Sequence, residues 1–350
     1  MLVRIANERL KTYNFHNLLC IRCNTDFCDN TFSSFTSEEN FEPSITVNIG
    51  ISPKWHEQDL ERVNVMFYYL EDFHGVYFSY PWLFRIRAAI TGIDSLHTEI
   101  FLSNIYLRFS ELVNQGFSMV DIFKSIMMVK LLSLGNTLLH AGCLDANGAG
   151  ILIPAFANVG KTSTCLALSK RDGVTFLADD MTCIDDSALA LSLPMTSLLS
   201  RTTAQELGVA DVCKLARLAL IEGVGFLMSN RFINSGMRVK PQSILGPDKI
   251  GTQTTIRTIA FLQHGNESMS EIDKDEAVKK LLAINRHELP WSGNPMIHAF
   301  AFFSNQFDIQ NLLHTEQRIL RSVVDAADRC LLVTARRGRH WTMLQKVVAS

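Results

Sequence analysis

Gly160, Lys161 and Thr162 stand between an apolar run, "ILIPA", and the helix-forming stretch "TSTCLALSK". A glycine, a lysine and a hydroxyl in that setting are what a bound polyphosphate requires. It needs backbone N–H donors at a helix N-terminus, a lysine that reaches the β- and γ-phosphates, and a hydroxyl that ligates Mg²⁺. Asn158 to Lys161 supply the donors, Lys161 the charge and Thr162 the hydroxyl. Asp179 and Asp180 close the next apolar run, "VTFLA". Their carboxylates would hold the metal, directly or through water, and one could accept a proton from an attacking hydroxyl. The plain alternative for this acidic pair is a turn or helix cap after a strand.

The elements that would position these groups are legible around them. "TLLHAGCLD", the turn-forming "ANGAG" and "ILIPA" read as two strands joined by a short glycine-rich turn that feeds the lysine loop. Lys161 to Lys170 reads as a helix ending at "RDG", and "VTFLADD" as the strand that delivers the acids. Strand, glycine-lysine loop, helix, strand and acid follow each other as in a P-loop nucleotide site. The usual loop, G-x-x-x-x-G-K-S/T, begins with a glycine, and Ala155 occupies that place here. A Cβ there costs about 1–2 kcal/mol if φ must be positive.

The chain of 350 residues has room for about two domains. With 47% hydrophobic and 19% charged residues its composition is that of a globular protein with a sizeable core. A formal charge of −2 gives no reason to expect a nucleic-acid partner. The one basic cluster, "ARRGRH" from Ala335 to His340, reads as a solvated surface or a phosphate-contacting loop. Charges scattered through the first 20 residues do not read as a signal peptide, and Lys124 and Lys130 break the longest apolar stretch. The expectation is a cytoplasmic protein with no membrane span and with its eight cysteines as free thiols. His16, Cys20, Cys23 and Cys28 could in principle hold zinc, but "NLLCIRCN" also alternates like a strand.

Upstream, "SITVNIGI", "VNVMFYYL", "GVYFSY" and "TEIFLSNIYLRF" mark a β-rich N-terminal domain, followed by a mostly buried helix from Ser118 to about Ser133. Downstream, helices are expected over "TTAQELGVADVCKLARLAL", "EIDKDEAVKKLLAIN" with Asp273 as N-cap, and "FDIQNLLHTEQRILRSVVDAAD". Strands are expected at Thr255 to Leu262 and at "CLLVTA". The domain boundaries adopted are 1–125 for the β-rich part, with a role in substrate recognition, and 126–350 for the nucleotide-binding part.

"LLHAGCL", "DANGAG", "ILIPAFANVGKTSTCLAL" and "GVTFLADDMTCI", in that order, resemble the HPr kinase/phosphorylase-like P-loop kinases over Leu138 to Ile184. The fold the resemblance implies is an α/β P-loop kinase domain of the HPr-kinase and PEP-carboxykinase type. The activity it implies is transfer of the γ-phosphoryl of ATP, with Mg²⁺, to a hydroxyl of a peptide, a small protein or a small molecule, in a family that forms homo-oligomers. Carried over by position, Ala155, Asn158, Val159, Gly160, Lys161, Thr162 and Ser163 bind the nucleotide, and Thr162 and Asp180 hold the metal. Asp179 becomes the base, Asp180 a metal or orienting partner, and His140 a neighbour that tunes the acids or contacts the phosphoryl group. The chain departs from the family at Ala155, at "FANV" in the loop, and after the acids, where only "IEGVGF" with Glu222 stands in for a signature linked to phosphorolysis. Arg201, Arg238, Lys240, Arg336 and Arg337 are the cationic candidates for the transferring phosphoryl group. Two other readings are a PEP-carboxykinase-like transfer and a nucleotide-binding sensor or scaffold without catalysis.

Overall fold

The computed structural model describes residues 10–39, 41–50, 60–64, 66–80, 86–105, 119–199, 237–336 and 338–348. The protein is mixed α/β with two large sheets. Its compact units are Met1–Leu138 with Asn285–Ile319, and Leu139–Ile284 with Leu320–Ser350. A single cut at 125/126 does not describe this division, because the chain returns to the first unit after residue 284. Sequence patterning could not show that return: the helix expected over "EIDKDEAVKKLLAIN" is continuous, and the division runs through it. Among the described residues, the helices of eight residues or more are α1 (Met119–Ser133), α2 (Lys161–Ser169), α3 (Lys274–Glu288), α4 (Pro295–Phe303), α5 (Ile309–Ala326) and α6 (His340–Val348). None is long and apolar enough to cross a membrane.

The first unit carries β1 (Lys11–Phe15), β2 (Leu19–Cys23), β3 (Thr36–Ser37), β4 (Ile45–Ile49), β5 (Glu61–Arg62), β6 (Phe67–Leu70), β7 (Gly75–Tyr80), β8 (Ile86–Thr91) and β9 (Thr98–Leu102). They form one sheet in the order β3-β1-β2-β4-β9-β8-β7-β6-β5. Strict alternation in β9 buries Thr98, Ile100 and Leu102 on one face, as a strand half covered by other elements should. α1 is apolar nearly all round, so Ile122, Ile126, Met127 and Leu131 are each almost completely buried. Cys20 and Cys23 lie three apart on β2, which turns them to opposite faces of the strand. Cys20 Sγ meets the Phe41 carbonyl and Cys23 Sγ meets Thr25 Oγ1. Among the described residues no three His, Cys, Asp or Glu side chains converge as a cation cage.

The second unit begins at the end of β10 (Asn136–Leu139). It then carries β11 (Ala141–Ala146), β12 (Ala149–Pro154), β13 (Val174–Ala178), β14 (Thr182–Asp185), β15 (Leu189–Leu191), β16 (Ser197–Leu199), β17 (Met237–Val239), β18 (Gln253–His264), β19 (Ser268–Glu271) and β20 (Arg329–Ala335). The expected hairpin is present: β11 pairs with β12 from Ala141↔Pro154 to Ala146↔Ala149. Asn147 and Gly148 turn it with φ of 52° and 89°, both positive, as a two-residue hairpin requires. The sheet runs β14-β15-β18-β12-β11-β13, with β20 beside β18 and β19 outside β20. The helices at "EIDKDEAVKKLLAIN" and "FDIQNLL" and the strand at "CLLVTA" form where the sequence places them, and Asp273 Oδ1 accepts from Glu276 N as the N-cap of α3. Residues 202–226, with the helix expected there and Glu222, lie outside the described residues, as do Arg201 and Arg337.

Strand directions place the lysine loop and the acids together. β12, β18 and β20 are mutually parallel, while β11 is antiparallel to both β12 and β13. The carboxyl ends of β12, β13, β18 and β20 and the start of β11 therefore share one edge of the sheet. Close packing fixes α2 behind that edge, because a Cβ on Gly142 of β11 would collide with Cys165 Sγ of α2. Gly142→Ala should therefore destabilise the fold by about 1–3 kcal/mol. In a Cys165→Ala background, where the sulfur is gone, most of that loss should disappear. Denaturant unfolding of the two single variants and the double variant measures this coupling.

Candidate functional site

β12 ends at Pro154, and the loop from Ala155 to Gly160 leads into α2. The positive-φ residues of this loop are Asn158 (66°) and Gly160 (118°), and Ala155 is not one of them. The strain expected at Ala155 is thus absent. Its methyl group packs in the core that includes Ile153, Cys165 and Leu166, and the whole residue is closed off from solvent. Asparagine tolerates the left-handed region better than most side chains, so the sequence meets the loop's backbone demand at Asn158 instead.

Gly160 caps α2 without any side-chain cap bond. The first turn of a helix leaves its N–H groups without helical partners, and with no cap they are available to an anion. Asn158 is exposed, Val159 packs against the core, and Ser163 Oγ turns back onto Gly160 O at 2.9 Å. Of the seven loop residues expected to bind nucleotide, Lys161 and Thr162 bring polar side chains to the helix start, Asn158 projects an exposed one, and Ala155 and Val159 pack into the core.

Lys161 is buried, and its Nζ lies 2.7 Å from His140 Nε2, 3.5 Å from Asp180 O and 3.8 Å from Asp180 Oδ1. An ammonium can only donate, so His140 Nε2 accepts and the ring proton sits on Nδ1. That nitrogen is 3.5 Å from Asp180 Oδ1. His140, Lys161 and Asp180 thus form one connected polar group across the start of β11, the start of α2 and the end of β13. Thr182 Oγ1 donates to Ala141 O at 2.8 Å and ties the segment after the acids to the residue after His140.

Asp179 sits deeper, 3% exposed, and its Oδ1 has no hydrogen-bond partner among the described residues. Burial pushes its carboxyl up to about 6. The Lys161 charge opposes this, Asp180 adds to it, and the hydroxyls of Ser197 and Thr162 oppose it more weakly. The neighbouring thiols do not compete for chemistry, because burial holds Cys143, Cys165 and Cys183 far above the usual thiol range. Among the cationic candidates, Arg238 lies in β17, and Lys240 and Arg336 are exposed.

Two residues that sequence reasoning did not single out belong to this site. Ser197, at the start of β16, is buried; its hydroxyl weakly lowers the Asp179 carboxyl without reaching full hydrogen-bond geometry, and no motif in the sequence signals it. His340, at the end of the basic cluster, is fully buried. Its Nε2 bonds to Gln263 O at 2.9 Å, and its Nδ1, without a partner, lies 3.5 Å from where a Cβ on Gly160 would be. The cluster "ARRGRH" was its one signal.

No family model matches the sequence, and no curated protein matches it. Among solved structures, the Hpr(Ser) kinase/phosphatase from Coxiella burnetii is similar over 39% of this chain and 77% of its own, with 16% identity and a TM-score of 0.25. At that level of overlap the likeness carries no weight for the chemistry, which rests on the side chains.

The raised carboxyl of Asp179 has a consequence for stability. A folded-state value near 6 against 3.8 means the folded protein holds this proton more tightly than the unfolded chain. Stability should fall as pH rises from about 4 to about 6, and the loss should be complete above that. Asp179→Asn removes the titration, so it should be up to about 3 kcal/mol more stable than wild type at neutral pH and nearly equal to it below pH 4. Chemical denaturation across that range measures the difference.

Proposed function

We propose that this chain is an ATP- and Mg²⁺-dependent phosphotransferase that moves the γ-phosphoryl group to a hydroxyl of a peptide, a small protein or a small molecule. The observation that supports this reading most is the Asp179 carboxylate, held almost out of water with one oxygen unpartnered beside the lysine of an uncapped helix start. A buried polar atom without a partner calls for an explanation, and a proton-donating ligand or a cation supplies one.

Each residue has a role consistent with its surroundings. The N–H groups from Asn158 to Thr162 take the phosphate oxygens, and Lys161 moves from His140 Nε2 and Asp180 onto the incoming charge. His140 keeps its Nδ1 proton towards Asp180 and so holds that carboxylate in place after the lysine has shifted. Asp179, with its carboxyl near 6, takes the acceptor's proton, since a general base works best with a pKa close to the working pH. The donor set also fits Mg²⁺: the hydroxyl of Thr162 and the carboxylate of Asp180 would hold it, and the ion would neutralise charge on the β- and γ-oxygens.

Three results test this reading. Lys161→Ala should weaken ATP binding at least about a hundredfold, and calorimetry with Mg²⁺ present would show it. Asp179→Asn should leave binding within about threefold and slow transfer by about 10²–10⁴-fold. The wild-type rate should rise with pH through about 6 and then level off, because Asp179 must be ionised to act. A Lys161→Ala protein that turns over ATP at the wild-type rate would remove the proposal, and ATP binding with no transfer in wild type would leave a nucleotide sensor.

A further inference from the structure

Beside α2, on the same unit, lies a cleft of about 510 Å³. Its lining includes Ser163, Ala167, Lys170, Arg171, Arg339 and Trp341. That volume is in the range of small-molecule sites, roughly 300–1,000 Å³. The composition is specific: three cations surround an indole, and among the described residues no carboxylate lines the cleft.

The cleft continues from the lysine loop. Ser163 and Ala167, four residues apart, share one face of α2, and Lys170 and Arg171 follow directly past its C-terminal end, leading away from Lys161. At 1.5 Å rise per residue Ala167 lies about 9 Å along the helix from Lys161. On the opposite wall, the segment after β20 is docked onto the same loop. Gly338 N lies 3.6 Å from where a Cβ on Gly160 would be, and His340 Nδ1 lies 3.5 Å from it. His340 is held to the end of β18 by Gln263 O, and its other ring nitrogen is buried and unpartnered against Gly160. A Cβ at Gly160 would meet this junction only at ordinary van der Waals distance, so it is the φ of 118° that restricts the position to glycine.

Trp341 is half-buried, and its ring is approached by the Arg171 guanidinium at 5.9 Å from the centroid. That separation is longer than stacking contact. Arg171 is exposed, and its bond to Gln345 Oε1 at 3.2 Å is exposed too, so displacing it costs little. An aromatic face flanked by cations, at the far end of a polyphosphate site, suits a flat heterocycle joined to phosphates.

We infer that this cleft takes the base of the bound nucleotide, with Trp341 as its stacking face and Arg171 closing over the other side. The inference rests on the phosphate-loop reading above and adds to it the place where the base of the nucleotide is held. Arg339 and Lys170 line the same cleft and add positive charge beside the base. The chain therefore discriminates a nucleoside triphosphate from inorganic tripolyphosphate through α2 and α6, away from the acids.

The test is calorimetric binding of ATP and of inorganic tripolyphosphate, each with Mg²⁺, to the full-length protein. Wild type should bind ATP at least about tenfold more tightly than tripolyphosphate, in keeping with the strength of base–aromatic stacking. Trp341→Ala should lose that preference while tripolyphosphate binding stays the same, and Trp341→Phe should keep most of it. Ala167→Leu, which narrows the cleft and leaves Trp341 in the sequence, should act like Trp341→Ala and keeps the test available if the tryptophan variant fails to fold. Retention of the full ATP preference in Trp341→Ala or Ala167→Leu overturns the inference, and so does a wild type that binds both ligands equally. Binding of neither ligand overturns the phosphate-loop reading and this inference with it, whereas equal binding of both leaves that reading standing.

Discussion

The second unit is organised around an ammonium kept almost out of water. Removing such a charge from solvent costs several kcal/mol unless it is paired and hydrogen-bonded. Lys161 meets this with the imidazole of His140, the carbonyl of Asp180 and the nearby Asp180 carboxylate. That solution has a consequence one residue earlier in the chain. Asp179 shares the same corner but has one oxygen with no partner, and it holds its proton more tightly than an ordinary aspartate. A folded protein carrying such a group gives up stability at neutral pH, which is a common feature of sites arranged for chemistry rather than for packing.

Everything that brings these charges together is a matter of strand direction and close approach. Three parallel strands and an antiparallel hairpin put the end of β12, the end of β13 and the start of β11 at one edge. Gly142 allows α2 to lie against β11, and Gly160 and Asn158 let the chain turn sharply enough to start that helix at Lys161. The carboxyl end of β20 arrives at the same edge, and that is how residues after 335 reach a loop that ends at 160.

Much of this was legible in the sequence, for local reasons. The hairpin was marked by Asn147 and Gly148, the helix by its formers and its stop, and the acids by their place after an apolar strand; each signal lies within a few residues of what it determines. Ala155 misled because the loop pattern carries no information on which position takes the positive φ. Here that position is Asn158, and the alanine methyl serves the core instead. Ser197 and His340 were out of reach because their roles depend on sheet order, which brings together residues far apart in the chain. The division into units was hidden for a similar reason: segments 285–319 rejoin the first unit through long-range contacts that no local pattern records.

The account turns on whether this corner moves a phosphoryl group. The most direct measurement is to offer γ-labelled ATP with Mg²⁺ to the wild-type protein, together with hydroxyl-bearing peptides, proteins and small molecules, and to follow the label. The account expects the label to leave ATP and to appear on a hydroxyl, at a rate that rises with pH through about 6, where Asp179 loses its proton. Label that stays on ATP in the presence of the folded protein, whether or not the ATP binds, would contradict it.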